Sequence, residues 1–357
     1  MIVTVQPNSN ALFSNYWKRK IDDAGATLDW PLAQTGEPDY CVFIPQMGLV
    51  IKHLDSSSRR FICEHFSRAG RQHYWLWKLW LAAVSWAPRW FAPATVRIAL
   101  DGDLVYFGNS IIEYDFARKR VSKLYKEPLA PYLCESLNYI DDTIDHLEGG
   151  GVRVSSDLRP GRPLDYRNEA SLLEEGFSTA LQIIQCRNLP AHHQQVSVGS
   201  YAKNLAQTLP EACINPYFSE LISSLSKEAD NVVLSLSHGD FKPENIIHHR
   251  QQFWLIDWEV ASMRSELHDV MNIVIHPAVH GIDYPSNSPW TLLERLSYQL
   301  LGREVDRSFL ITALRLALVE KYCLYMNSGR WDSCLEQTAK DWCDGVDRLK
   351  RLLGGTQ

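Results

Sequence analysis

The sequence has no C-x-x-C pair: its eight cysteines, Cys41, Cys63, Cys134, Cys186, Cys213, Cys323, Cys334 and Cys343, all stand at other spacings. That removes the usual ligand pattern of a structural zinc site and fits reduced, mostly core thiols of a cytosolic protein. Long apolar runs are missing too. No window of about 18 residues is apolar and free of charge, so no membrane-spanning helix is expected. The opening residues, Met-Ile-Val-Thr-Val-Gln-Pro, show no basic stretch followed by an apolar core, so no signal peptide is expected. Positive charge is not in excess. With 36 Lys+Arg against 42 Asp+Glu the formal charge is −6, which argues against a general nucleic-acid binder. Internal repeats and low-complexity tracts are absent.

What remains is an ordinary globular composition, 45% hydrophobic over 357 residues. At about 150 residues per domain this length suggests two domains, or three. A chain of this size can bury about 75% of the surface its unfolded form exposes, so it needs no disulfide or metal staple.

Tyr40–Ile44 and Leu49–Leu54 flank Pro45-Gln46-Met47-Gly48 and read as a β-hairpin. Trp75, Trp77, Trp80, Trp86 and Trp90 crowd one segment whose helical spacing makes it apolar nearly all round. Such a helix is either packed between domains or seated at a membrane or partner surface, where Arg71, Lys78 and Arg89 would assist. Further strands are predicted at Val96–Leu100, Leu104–Phe107, Ile111–Phe116 and Val121–Lys126, with Asp101-Gly102-Asp103 as a hairpin turn. A helix fits Pro131–Leu147, and Val152–Ser155 reads as a strand. From Asp165 onward the pattern is mostly helical, with helices expected over 168–186, 198–209, 218–226, 291–301, 308–327 and 334–353. One break interrupts it, Val232–Asp257, where strands at Asn245–His248 and Phe253–Ile256 surround a polar loop.

The chemistry concentrates in that break. His238-Gly239-Asp240-Phe241-Lys242-Pro243-Glu244-Asn245 is followed, twelve residues after Asn245, by Asp257 in Leu255-Ile256-Asp257-Trp258-Glu259. A β-hairpin there can bring Asn245 and Asp257 together. An amide oxygen and a carboxylate are hard oxygen ligands, suited to Mg²⁺ carrying phosphates. Asp240 could receive or orient a proton on an incoming hydroxyl. For any one of these residues a solvated turn would suffice; the whole string asks for a site.

The string resembles the catalytic loop of the protein-kinase-like superfamily, in the H-G-D form of aminoglycoside phosphotransferases and choline kinases, with Ile-Asp-Trp-Glu in the place of D-F-G. The resemblance implies an α+β, two-lobed protein-kinase-like fold with a small β-rich N-lobe and a mostly helical C-lobe. It divides the chain into an N-terminal extension at 1–95, an N-lobe at 96–160 and a C-lobe at 161–357. It implies ATP and Mg²⁺ as cofactors, Asp240 as the catalytic carboxylate facing the acceptor hydroxyl, and Asn245 and Asp257 as the metal ligands. Lys242 matches the lysine that neutralises the γ-phosphate, and His238 supports the loop. Gly108, Asn109 and Ser110 stand where the family has its phosphate-covering loop, although the same residues also suit a plain hairpin turn. Lys123, or else Lys126, resembles the ATP-binding lysine, and Glu135 its helical partner; either lysine could be a solvated strand residue and Glu135 a surface one. Leu158–Leu164 resembles the adenine-binding hinge. Asp269 would cap the next helix and brace the loop.

Gly239 replaces the arginine of many protein kinases, and only ten positions separate Glu259 from Asp269, with no A-P-E. Both points favour a small-molecule or saccharide hydroxyl over a protein acceptor. Glu266, Asp283 and Glu320 are acidic candidates for a polar or cationic acceptor, although each also suits plain surface charge. The alternatives are a kinase of a membrane-associated glycan or lipid-linked sugar, and a catalytically silent nucleotide-binding scaffold. The expected location is cytoplasmic, with peripheral contact at the inner membrane face through Trp75–Trp90 as the variant.

Overall fold

Nine short segments, several of them rich in β-branched and aromatic residues, line up as one antiparallel sheet in the computed structural model of the chain. The structure describes residues 4–7, 39–44, 49–52, 56–65, 79, 82–83, 94–98, 102–107, 111–125, 129, 131–139, 143–146, 151–188, 193–209, 214, 216–282, 289–327 and 344–345. The strands are β1 (Thr4–Pro7), β2 (Asp39–Ile44), β3 (Leu49–Ile51), β4 (Ala94–Ile98), β5 (Leu104–Phe107), β6 (Ile111–Asp115), β7 (Arg120–Tyr125), β8 (Thr143–His146) and β9 (Val152–Asp157). Their order is β1-β4-β2-β3-β5-β6-β7-β9-β8. Helix α1 (Ser56–His65) buries Phe61 and Ile62, and the Phe61 ring lies 4.5 Å from Tyr114 and 5.2 Å from Phe116.

This sheet belongs to the first of two compact units, residues 1–129 with 141–162; the second holds 130–140 and 163–357. The boundary expected at residue 95 falls inside β4. Strands from both sides of it share the sheet, because β4 pairs with β2 while β3 pairs with β5. The expected hairpins β2–β3 and β6–β7 are present. The β4–β5 hairpin expected about Asp101-Gly102-Asp103 does not form, since β4 and β5 are not neighbours; Asp101 itself lies outside the described residues. Gly102 instead passes so close to β6 that a Cβ would stand 2.7 Å from Tyr114 O, and its N–H donates to Glu113 Oε1 at 2.6 Å.

The helix expected over 131–147 ends early. Helix α2 spans Pro131–Ser136, and Thr143–His146 pairs with Val152–Ser155 as the exposed edge strand β8. The β-branched Thr143 and Ile144 suit a strand, and the backbone bonds offered by β9 outweigh the helical spacing of the apolar residues.

The division falls within β10 (Arg162–Pro163), and the second unit contains α2, α3 (Ala170–Arg187), β11 (Gln194–Ser197), α4 (Val198–Gln207), α5 (Pro216–Leu225), β12 (Asn231–Ser237), β13 (Ile246–His249), β14 (Gln252–Leu255), β15 (Ser262–Ser265), α6 (His268–His280), α7 (Pro289–Leu301) and α8 (Arg307–Asn327). Helix α3 shows the reason for its packing: Leu173, Phe177, Ala180, Leu181 and Ile184 recur at three- and four-residue spacing and are all buried. Helix α8 packs on α4, α5 and α6, and Tyr322 stacks on Phe218 with centroids 3.6 Å apart.

Helix α6 runs through Pro277 without ending there. Proline removes the N–H that would bond Ile273 O, and the Tyr166 hydroxyl donates to that carbonyl instead, at 3.4 Å. Residues 334–353, apart from 344 and 345, and the Trp75–Trp90 stretch, apart from 79, 82 and 83, lie outside the described residues. Cys41 and Cys323 are core residues, and Cys134 and Cys186 are exposed. Among the described residues no helix is long and apolar enough to cross a membrane.

Candidate functional site

The turn that carries Asp240 leaves the end of β12, at the centre of a three-stranded sheet between β11 and β15. Gly239 turns the chain with φ +81, a left-handed conformation that glycine adopts without penalty. A side chain there would meet Arg264 and, at 2.5 Å, Val260 O. Asp269, near the start of α6, fixes the turn from behind. Its carboxylate accepts from Ser237 Oγ at 3.0 Å, His238 N at 2.8 Å and Gly239 N at 3.0 Å. Asp269 therefore braces the loop as expected, but it does not cap its own helix, whose N-cap position is Leu267. A second tie from α6 runs from Asn272 Nδ2 to Phe241 O at 2.7 Å.

A 3₁₀ turn at Pro243–Asn245 and the β13–β14 hairpin then return the chain. Asn245 donates its Nδ2 to Asp240 O at 2.8 Å and to Asp240 Oδ2 at 3.3 Å. The oxygen of the same amide is the atom a cation would take. Ile256 N donates to Asn245 O at 2.9 Å, which brings the residue preceding Asp257 against Asn245. Asp257 itself stands at φ +67, an uncommon backbone state for a residue other than glycine and one that concentrates at functional sites. His238 closes the group by donating from Nε2 to Ile256 O at 2.8 Å, with its ring edge-on to Trp258 at 4.9 Å. Burial pushes the His238 pKa down, so the ring is neutral and supports the loop.

The carboxylate of Asp240 sits between two ammonium groups. Lys242 Nζ pairs with Oδ2, and Lys321 Nζ, from α8, pairs with Oδ1 at 2.9 Å and also donates to Gly239 O at 3.0 Å. Burial alone would raise the Asp240 pKa; the charges of Lys321 and Lys242 outweigh it and hold the carboxyl well below the usual range. Burial pulls the Lys242 ammonium the other way, yet Asp240 wins and its pKa is raised.

Among the described residues no three His, Cys, Asp or Glu side chains gather as a metal cage. One carboxylate and one amide oxygen at one end of a hairpin still fit Mg²⁺, which keeps several waters and relies on substrate phosphates for the rest of its shell.

The structure thus brings together Asp240, Lys242, Asn245 and the segment carrying Asp257. Lys123 lies in mid-strand in β7, half-buried, between the buried Ser122 and Leu124, and belongs to the first unit. Glu135 is an exposed residue of α2 in the second. Gly108, Asn109, Ser110, Lys126 and Asp283 lie outside the described residues.

Glu320 is not available to an acceptor. It is fully buried, accepting from Tyr201 Oη at 2.9 Å, Ser265 N at 2.7 Å, Ser265 Oγ at 2.7 Å and His268 Nδ1 at 2.7 Å. Burial would raise its pKa, but the His268 ring and the Ser265 donors lower it. Lys321 and Arg264 escape a reading of the sequence because no local motif contains them. The available signal is the adjacent charged pair Glu320-Lys321 inside an otherwise apolar helical run.

No protein-family model matches the chain, and no curated protein matches it. Solved structures similar to it include an amicoumacin kinase in complex with AMP-PNP, Ca²⁺ and Ami, at 13% identity and TM-score 0.44 over 72% of this chain and 87% of that one. A choline/ethanolamine kinase family protein from Mesorhizobium loti is 12% identical, with TM-score 0.44 over 68% of this chain and 85% of that one. An ethanolamine kinase from Plasmodium vivax is 14% identical, with TM-score 0.42 over 84% of this chain and 94% of that one.

Proposed function

We propose that the chain is an ATP- and Mg²⁺-dependent phosphotransferase that moves the γ-phosphoryl group of ATP to a hydroxyl of a small molecule or saccharide. The observation that carries this reading is the convergence of Asp240, Asn245 and the Asp257 segment, with an ionised Asp240 held between two lysines.

Asp240 accepts a hydrogen bond from the acceptor hydroxyl and aims its oxygen at the phosphorus. A carboxyl kept so acidic is a weak base, so its contribution is orientation more than proton storage. Lys242 supplies positive charge to the phosphoryl oxygens. Asn245 and Asp257 would hold the cation. Mg²⁺ bound there would offset charge on the triphosphate and the transferring group. In the β-rich unit, Lys123, with Lys126 as the alternative, is the lysine that the resemblance gives to the nucleotide.

The test is a screen of hydroxylated metabolites and sugars for acceptor-dependent ATP consumption. Asp240→Asn should lower turnover by about 10²-fold or more while Mg²⁺–AMP-PNP still binds, and Asp257→Ala should weaken that binding itself. Full turnover in both variants would refute the assignment. Nucleotide binding with no turnover on any acceptor would favour the silent scaffold.

A further inference from the structure

Residues Leu316–Cys323 of α8 are all buried, and Glu320 and Lys321 are the charged pair among them. Placing two charges in the core of a helix is unfavourable unless each is satisfied in place. The bonds of Glu320 account for it as an anchor of the β15–α6 segment. Lys321 faces a different group: its ammonium donates to Gly239 O and Asp240 Oδ1, and its Nζ lies 5.3 Å from the centroid of the Tyr325 ring.

The two lysines on Asp240 are not equivalent. The Lys321 side chain is 2% exposed and that of Lys242 is 23% exposed, against 18% for Asp240. Lys242 sits on the same loop as Asp240, two residues away, with one bond to it. Lys321 comes from a buried helix far along the chain and is held by both the carboxylate and the backbone of the turn.

We propose that Lys321 is a positioning residue for phosphoryl transfer. It fixes the orientation of the Asp240 carboxylate and keeps a counter-charge in place on Oδ1, so that Lys242 can leave Oδ2 for a nucleotide phosphate without stranding a half-buried, unpaired anion. This rests on the phosphotransferase reading. It divides the work between a fixed lysine that faces the carboxylate and a movable one that faces the phosphate. A lysine suits the fixed role because its compact charge and three donors can serve a carbonyl and a carboxylate at once.

The experiment compares the full-length protein with Lys321→Met and Lys242→Met. Calorimetry reads Mg²⁺–AMP-PNP binding, and ADP release from MgATP, with water as acceptor, reads turnover. Lys321→Met should lower kcat by about 10–100-fold while the Kd for Mg²⁺–AMP-PNP stays within about threefold; Lys242→Met should weaken nucleotide binding as well. Turnover of Lys321→Met at the wild-type rate overturns the proposal and leaves the phosphotransferase reading intact. A wild-type protein that neither binds Mg²⁺–AMP-PNP nor releases ADP overturns both. Should Lys321→Met not fold, reductive methylation of the wild-type protein decides. Lys242 should be modified when free and protected by Mg²⁺–AMP-PNP, with Lys321 unmodified throughout. Equal reactivity of the two lysines overturns the division of roles.

Discussion

A methyl group added at Gly239 probes how tightly the turn carrying Asp240 is held. Alanine would have to keep φ near +81, which costs about 1–2 kcal/mol for a residue with a Cβ. The new carbon would also meet Val260 O at 2.5 Å and the guanidinium of Arg264. Neither can move freely, because Arg264 is buried and donates Nη2 to Val260 O at 2.8 Å, so the two obstacles are bonded to each other. Overpacking of this kind costs about 1–3 kcal/mol. The sum, about 2–5 kcal/mol, corresponds to a fall in melting temperature of about 4–20 °C at 2–4 °C per kcal/mol for a unit of this size. Gly281 supplies the control: it too has positive φ, +63, but a Cβ there meets nothing within 4 Å. Gly281→Ala should therefore lose only the conformational part, about 1–2 kcal/mol. Thermal unfolding followed by circular dichroism measures both. Equal losses in the two variants would show that the contacts with Val260 and Arg264 do not confine the turn.

Removing the Glu320 carboxylate by Glu320→Ala leaves Tyr201, Ser265 and His268 without their acceptor, and the loss should reach about 3–5 kcal/mol in denaturant unfolding; a loss below about 1 kcal/mol would contradict the anchoring role. His276 gives a pH dependence. Burial first, and His280 beside it, push its pKa down to about 2, while the unfolded chain titrates near the usual value of about 6.5. The unfolded state therefore gains a proton that the folded state refuses. The stability this group contributes is complete above that unfolded value and is lost as the pH falls below it, by up to about 1.4 kcal/mol per pH unit. His276→Gln should flatten the acid slope of the unfolding free energy by about that amount, and an unchanged slope would refute it.

The parts of the molecule legible from the sequence are those whose causes are local. The loop at 238–245, the return strand before Asp257 and helices α3, α4, α5, α7 and α8 follow from residue type and spacing; α6, which carries Pro277 in its interior, does not. Asp269 was within reach because it lies in the same short stretch. Lys321 was not, since nothing within a turn of α8 says that its charge meets Asp240 some eighty residues earlier. Strand pairing shows the same limit. Ile140, Ile144 and Leu147 keep helical spacing, yet β9 recruits Thr143–His146 as an edge strand. The partner of β5 likewise depends on β3 entering beside it, a choice made far away in the chain.

The three hydrogen bonds that Asp269 receives have one more consequence. The conformation of residues 237–239 is dictated by a buried carboxylate in the first turn of α6, so the turn is preorganised: its backbone entropy is surrendered when the chain folds, not when a guest arrives. Whatever binds in front of Asp240 then meets a surface already in its working shape, and the binding energy it brings is left over for its own alignment.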